Sequence, residues 1–318
     1  MRILFIRTDR MGDLLMALPA VHLLREVFPR AEISVLVQKG LASLLESHPD
    51  INRIFEWDPA KEAGWISLIR FSLIVRREKY DIAVISNPTR FFHVAVFLAG
   101  IPTRVGYRRK AGLLLNRSLP DTKAVRDLRE FEYNLELVSL LGISKSPPQF
   151  FLPKRPEKEK LADEILCRNG FSLTDRPVAL HPWTSNPVKE WKRGNFEELA
   201  RQLTNHGQKV IVIGGEESRD EAARWIIPSR HMFLNLVGAV SLDILPSLLR
   251  HCSILVSNDS GPVHVAAAVA TPVIVVAPEV HAPLLERWKP WGDENVILLS
   301  PSVEHVIEVL SKYALSHR

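Results

Sequence analysis

The stretch RTDRMGD, residues 7–13, follows a short apolar run at 3–6 and precedes a helix-like stretch that begins at Leu14. Arg7, Asp9, Arg10, Gly12 and Asp13 put four charges and a glycine on one strand-to-helix turn, which is the composition of a site more than of a connection. Three stretches in the second half have related character. ALHPWTSNPVKEWKRGNFEEL, starting at Ala179, leaves a strand at Leu180 and passes His181, Thr184, Ser185, Lys189, Trp191 and Lys192 before a helix that Asn195 is placed to cap. Hydroxyls and lysines after a strand suit phosphate oxygens, and they suit a solvated loop as well. VIGGEESRDEA, 212–222, offers two glycines for close ligand approach and acidic residues for ribose hydroxyls; Glu216, Glu217 and Asp220 equally fit a helix's first turn. SILVSNDSGPVHVAAA, 253–268, ends a buried strand at Asn258 and opens a helix at Pro262, so the amides of Ser260 and Gly261 form an anion site. Capping by Asp259 or Ser260, with His264 as a hydrogen-bonded core histidine, explains the same residues.

Elements that position these residues are legible as short apolar runs at 2–7, 32–37, 51–57, 81–86, 178–180, 209–215, 253–258, 272–277 and 296–299. Helix-period segments lie between them at 14–28, 65–78, 91–99, 195–206, 241–250 and 302–315. Unbroken apolar strands alternating with amphipathic helices predict an α/β protein with parallel sheets covered on both faces. After a helix at 130–142 the alternation stops in a proline-bearing, charged stretch, and a new helix begins near 157–169. A boundary around 145–156 therefore predicts two domains, 1–150 and 151–318, with a cleft between them. Ligands of open α/β sheets bind at strand carboxyl ends, where all four stretches fall.

The chain of 318 residues has a net charge of +5, and eight basic residues against two acidic ones fall between Arg104 and Arg129. That stretch, with Arg108, Arg109 and Lys110, fits an anionic partner or a solvated loop. A phosphorylated substrate or an anionic membrane face ranks above nucleic acid, because no aromatic-rich sheet motif or zinc finger accompanies the charge. Cys167 and Cys252 lack CxxC spacing, so neither a disulfide framework nor a cysteine zinc site is expected, and a reducing cytosol fits. The start has no signal-peptide order, and the longest apolar stretch, 263–278, is too interrupted to span a membrane. Dinucleotide GxGxxG, P-loop, HExxH and EF-hand spacings are absent, which demotes dehydrogenase, ATPase and zinc-hydrolase readings.

Taken in order, ILFIRTDRMGDLLMALPAVHLLREVFPRAEISVLV, HPWTSNPVKEWKRGNFEELA and LVSNDSGPVHVAAAVATPVIVV resemble the heptosyltransferases, glycosyltransferase family 9, across nearly the whole chain. The resemblance implies the GT-B architecture, two Rossmann-like domains with parallel sheets facing across a cleft. The N-terminal domain would bind acceptor and the C-terminal domain the nucleotide-sugar donor, the last helix being free to pack back on the N-terminal domain. It implies transfer of heptose from ADP-heptose to the inner core of lipopolysaccharide, with inversion and with no metal or cofactor. Asp13 matches the family's catalytic carboxylate, and Thr184, Ser185 and Lys189 match positions that hold the donor diphosphate. Asp259, Ser260, Gly261 and His264 match the signature contacting phosphate and sugar; Asp220 falls near the ribose position, and adenine near 235–241. Two departures stand out: Lys189, Glu190, Trp191 and Lys192 where the family often has Lys-Arg-Trp-Pro, and Glu279 in APEVHAP where it often has a hydroxyl.

In the mechanism so implied, Asp13 accepts the acceptor hydroxyl's proton while Lys189 and the helix start at Ser260 and Gly261 stabilise the leaving ADP. Gly12 lets the backbone pass close to the sugar, and Arg7, Arg10, Arg108 and Arg109 receive carboxylates or phosphates of the acceptor. The expected partners are the nucleotide-sugar donor and a lipid-linked core acceptor, with no nucleic acid, in the cytoplasm at the inner membrane surface. A nucleotide-sugar epimerase or hydrolase of the same fold, and a non-catalytic nucleotide-sugar binding protein, are the rival readings.

Overall fold

The computed structural model describes residues 1–61, 64–122, 125–143 and 149–316. The chain divides into two units, Met1–Pro153 and Lys154–Arg318, each built on its own six-stranded parallel sheet. Of the segment 145–156 that the sequence marks as a linker, 145–148 lie outside the described residues. Phe151 stacks on His48 with ring centres 5.0 Å apart, which fastens the end of the first unit to its own body.

Along the first unit run β1 (Arg2–Arg7), α1 (Met11–Leu15), α2 (Leu18–Val27), β2 (Glu32–Gln38), α3 (Ala42–Leu45), β3 (Arg53–Trp57), α4 (Trp65–Glu78), β4 (Ile82–Ile85), α5 (Arg90–Leu98), β5 (Thr103–Arg108), β6 (Arg117–Pro120) and α6 (Glu130–Ser139). The second unit follows with α7 (Pro156–Arg168), β7 (Val178–His181), α8 (Arg193–Asn205), β8 (Val210–Val212), α9 (Arg219–Ala222), β9 (Phe233–Asn235), α10 (Leu245–Arg250), β10 (Ile254–Ser257), α11 (Gly261–Ala268), β11 (Val273–Ala277), α12 (Ala282–Leu285), β12 (Val296–Leu299) and α13 (Val303–Ser316).

Strand order is β3-β2-β1-β4-β5-β6 in the first sheet and β12-β11-β10-β7-β8-β9 in the second. Both have the doubly wound order of a Rossmann sheet, with the topological switch between β1 and β4 and between β7 and β10. Register follows the apolar runs: Ile3, Leu4, Phe5 and Ile6 lie opposite Ile82, Ala83, Val84 and Ile85. All eight are buried, as central parallel strands require. The central β10 is buried along its length and pairs β7 and β11.

Two readings differ from expectation. The helix read at 14–28 is two, because Pro19 sits in the first turn of α2 and the chain breaks at Met16 and Ala17. The basic stretch holds two strands, β5 and β6, whose arginines hide their alternation. In the second unit α13 seats Val303, Val306 and Leu310 in the core, beside Trp191, Leu199 and Val256.

Candidate active site

At the switch point of the first sheet, Arg7 ends β1 and is only 2% exposed. Its Nη1 donates to Ser86 Oγ, just past β4, at 2.8 Å and to Glu130 Oε1 at 3.0 Å. Its Nε donates to Asp9 Oδ1 at 2.7 Å and its Nη2 to Asp13 Oδ1 at 2.9 Å. Burial opposes the guanidinium charge, but the Asp9, Glu130 and Asp13 carboxylates outweigh it and hold the Arg7 pKa above its ordinary value. Burial also raises the Asp9 carboxyl; Arg7 pulls against that rise and Asp13 adds to it.

The support comes from α6. Glu130 opens that helix fully buried, and Asn134, one turn on, accepts from the Ser86 hydroxyl and donates to the carbonyls of Met16 and Glu130. Asp13 lies in the first turn of α1, its side chain 17% exposed, so Arg7 holds it at the sheet's carboxyl edge within reach of solvent. Four of the five Arg7 N–H donors are thus engaged inside the protein and its charge is balanced by three carboxylates, so the guanidinium is turned inward and holds Asp13 in place. Arg10 is exposed at the cap of α1, and Gly12 lies within the helix without a left-handed turn.

At the second switch point, β7 ends at His181 and β10 at Ser257. His181 Nδ1 lies 3.2 Å from Ser257 Oγ and 3.0 Å from Ser260 Oγ, and burial pushes its pKa down to about 4. Asn258, fully buried, accepts from the Trp191 amide at 2.8 Å and donates to the Pro182 carbonyl, clasping both ends of the loop that carries Thr184, Ser185 and Lys189. Lys189 Nζ donates to Asp259 Oδ2 at 2.5 Å and lies 5.9 Å from the Trp288 ring centre. His281 Nε2 approaches that same Asp259 oxygen at 2.9 Å. Burial alone would raise Asp259; the Lys189 hydrogen bond and charge, then His281 and the charge of His264, hold the carboxyl below its usual range.

Ser260 turns its hydroxyl to His181 and makes no side-chain cap on α11. The first-turn amides, beginning at Gly261, are thereby left without a capping side chain beside Lys189's partner Asp259. His264 is buried one turn further on. The structure thus brings Lys189, Asp259, Ser260, Gly261 and His264 to one strand end. Thr184 accepts from the Asn186 amide in the same loop, and Ser185 is exposed.

Asp220 stands apart, exposed on α9. Its neighbour Glu221 is the tied one, accepting from Trp183 Nε1 at 3.2 Å and Arg193 Nη1 at 2.5 Å. Gly214 makes room for Trp183, whose ring lies 2.7 Å from where a Cβ would stand, so its smallness serves packing where the sequence suggested ligand approach. The cap of α8 is Lys192, not Asn195, and Glu190 pairs with Arg193 at 3.0 Å.

Much of the basic stretch is spent inside the fold. Arg104 donates to the carbonyls of Ile101 and Leu114, Arg117 to that of Leu140, and Arg126 forks onto Glu136. Arg109 pairs with Asp121 at 3.2 Å; Arg108 and Lys110 are exposed, and Lys123 lies outside the described residues. Sequence reasoning missed Ser86, Glu130, Asn134 and His281. Only Ser86 carried a signal, its place directly after an apolar strand.

Two Rossmann-like units, each with its polar residues gathered at its own switch point, have the architecture of the GT-B glycosyltransferases. Comparison fixes the family. A family model for glycosyltransferase family 9 (heptosyltransferase) matches residues 69–313, and the chain belongs to that family and is a glycosyltransferase. The match covers the Lys189 and Asp259 loops and begins after Asp13. Lipopolysaccharide heptosyltransferase 2 of Escherichia coli K12 is 29% identical over 306 residues, covering 90% of this chain and 86% of that protein. A family 9 glycosyltransferase structure from Veillonella parvula DSM 2008 superposes with TM-score 0.88 at 17% identity, covering 99% of this chain and 97% of that one. The E. coli ADP-heptose LPS heptosyltransferase II structure superposes with TM-score 0.83 at 22% identity, covering 99% of each. Among the described residues, no three His, Cys, Asp or Glu side chains gather as a metal site, and no helix is long and apolar enough to cross a membrane.

Proposed function

We propose that this chain moves heptose from ADP-heptose to the inner core of lipopolysaccharide, inverting the anomeric centre and using no metal or other cofactor. The carrying observation is the Asp13 carboxylate held 2.9 Å from a buried arginine at the end of β1, where a general base needs a fixed position and access to substrate. Support for the substrates comes from relatives named for lipopolysaccharide and from a neighbour named for ADP-heptose.

In the reaction, Asp13 takes the proton of an acceptor hydroxyl as that oxygen attacks the anomeric carbon. The bond from that carbon to the β-phosphate oxygen breaks, and its electron pair leaves with ADP. Lys189 and the first-turn amides at Gly261 meet the charge that grows on the departing diphosphate. Thr184, Ser185, Ser260 and His264 contact phosphate and sugar, and Asp220 and 235–241 lie toward the nucleoside. Arg10, Gly12, Arg108 and Arg109 face the acceptor, Arg7 only aligning the base. A lipid-linked acceptor places the enzyme at the cytoplasmic face of the inner membrane.

Mass spectrometry of purified protein incubated with ADP-heptose and a heptose-deficient core acceptor tests the reading. One heptose added to the acceptor, together with free ADP, is the expected result. Free heptose or an epimerised donor without acceptor modification would replace it with hydrolase or epimerase activity, and an unchanged donor with a binding role.

A further inference from the structure

We propose that the outer face of α4 docks this protein, in the plane of the membrane, on an anionic bilayer surface. Inward, α4 commits Phe71 and Val75 to the core of the first unit, beside Trp57 and Phe92. A helix so placed ordinarily shows water a polar opposite face. Here the opposite face carries Trp65, 70% exposed, Ile66, 66% exposed, and the exposed Ile69, Leu73 and Ile74. Together with Arg70 and Arg77 they line one groove of about 710 Å³. Five large apolar side chains on a single helix exceed the scattered exposure that soluble surfaces tolerate and mark an interaction face.

Charge selects the occupant. Arg70, Arg76, Arg77 and Lys79 are all exposed on or just after this helix. Its one acidic residue, Glu78, is taken up by Arg2 at 2.8 Å and Arg53 at 2.6 Å. Among the described residues of α4, then, no carboxylate competes on its apolar and cationic face. A second copy laid against it would press arginine on arginine, whereas anionic lipid headgroups satisfy the arginines while the acyl boundary accepts Trp65, Ile66, Ile69 and Leu73. Tryptophan at one end of such a stripe belongs at the headgroup level. With 14 residues, α4 lies along the surface and does not span it.

The inference stands on α4 alone, and a lipid-linked acceptor would give the docking its use. Its test is flotation of the full chain, without donor or acceptor, with vesicles of phosphatidylethanolamine and phosphatidylglycerol and with vesicles of phosphatidylcholine alone. The protein should float with the anionic vesicles only. The Arg70→Gln, Arg77→Gln double variant should partition about thirtyfold more weakly, and Ile69→Ser with Leu73→Ser should remove binding while far-ultraviolet circular dichroism stays unchanged. Brominated acyl chains should quench tryptophan fluorescence in the wild type and less in Trp65→Phe. Absence of binding to anionic vesicles, or equal binding by wild type and both double variants, overturns the proposal. So does a dimer in sedimentation equilibrium that Leu73→Ser abolishes in a protein indifferent to lipid. Since no turnover is read, any of these failures leaves the transfer reaction standing; all variants should transfer to an acyl-free acceptor at the wild-type rate.

Discussion

Arg7 and His181 bury ionisable groups at matching places in the two sheets and solve the cost in opposite ways. Arg7 keeps its charge by collecting three carboxylates, and losing one partner of such a buried set costs about 3–5 kcal/mol. His181 gives its charge up, its pKa pushed from 6.5 to about 4 by burial. A base that is neutral when folded but protonated when unfolded between those two values makes the unfolded chain the better proton acceptor. Stability from His181 is therefore whole above pH 6.5 and is lost as pH falls toward 4. The full loss is about 3 kcal/mol. Urea unfolding of wild type and His181→Gln across this window should show the decline in the wild type and a flatter profile in the variant. Parallel profiles would remove His181 as the source. Asp259, held below its usual range, adds its own loss at lower pH still.

Among the elements, the loop between β7 and α8 depends on a residue from elsewhere. Asn258 closes it at Pro182 and Trp191, and Asn258→Ala would leave a buried amide and a buried carbonyl unsatisfied, at about 1–3 kcal/mol each. We expect the variant to bind ADP more weakly by calorimetry, because Lys189 hangs from this loop; unchanged affinity would mean that the loop holds its shape without the clasp. Much of this layout was open to sequence reasoning, for a physical reason. Strands such as β1, β2, β4 and β10 are buried on both faces, so they spell unbroken apolar runs, and the residues just after them are where Rossmann sheets bind ligands. Edge strand β6 and its neighbour β5 carry arginines that bond to nearby carbonyls, and read as a charged loop. The environment of Arg7 was illegible because Glu130 is 123 residues away in the chain; nothing local distinguishes a guanidinium spent on the protein from one offered to a substrate. His281 was hidden likewise, since its partner Asp259 belongs to the preceding strand's end.

For the whole molecule, the same six-strand order occurs twice, and each copy gathers its polar residues at its own switch point. The proposed labour is divided accordingly: Asp13 in the first unit takes the proton, and Lys189 with the start of α11 in the second receives the leaving diphosphate. Neither unit alone would turn over substrate. The deciding measurement is acceptor-dependent ADP release by wild type and by Asp13→Asn, with ADP affinity measured in parallel. Release by the wild type only when acceptor is present, a rate about 10²–10⁴ lower in Asp13→Asn, and equal ADP affinity in both would be the expected result. Wild-type turnover in Asp13→Asn, or release that ignores the acceptor, would contradict it.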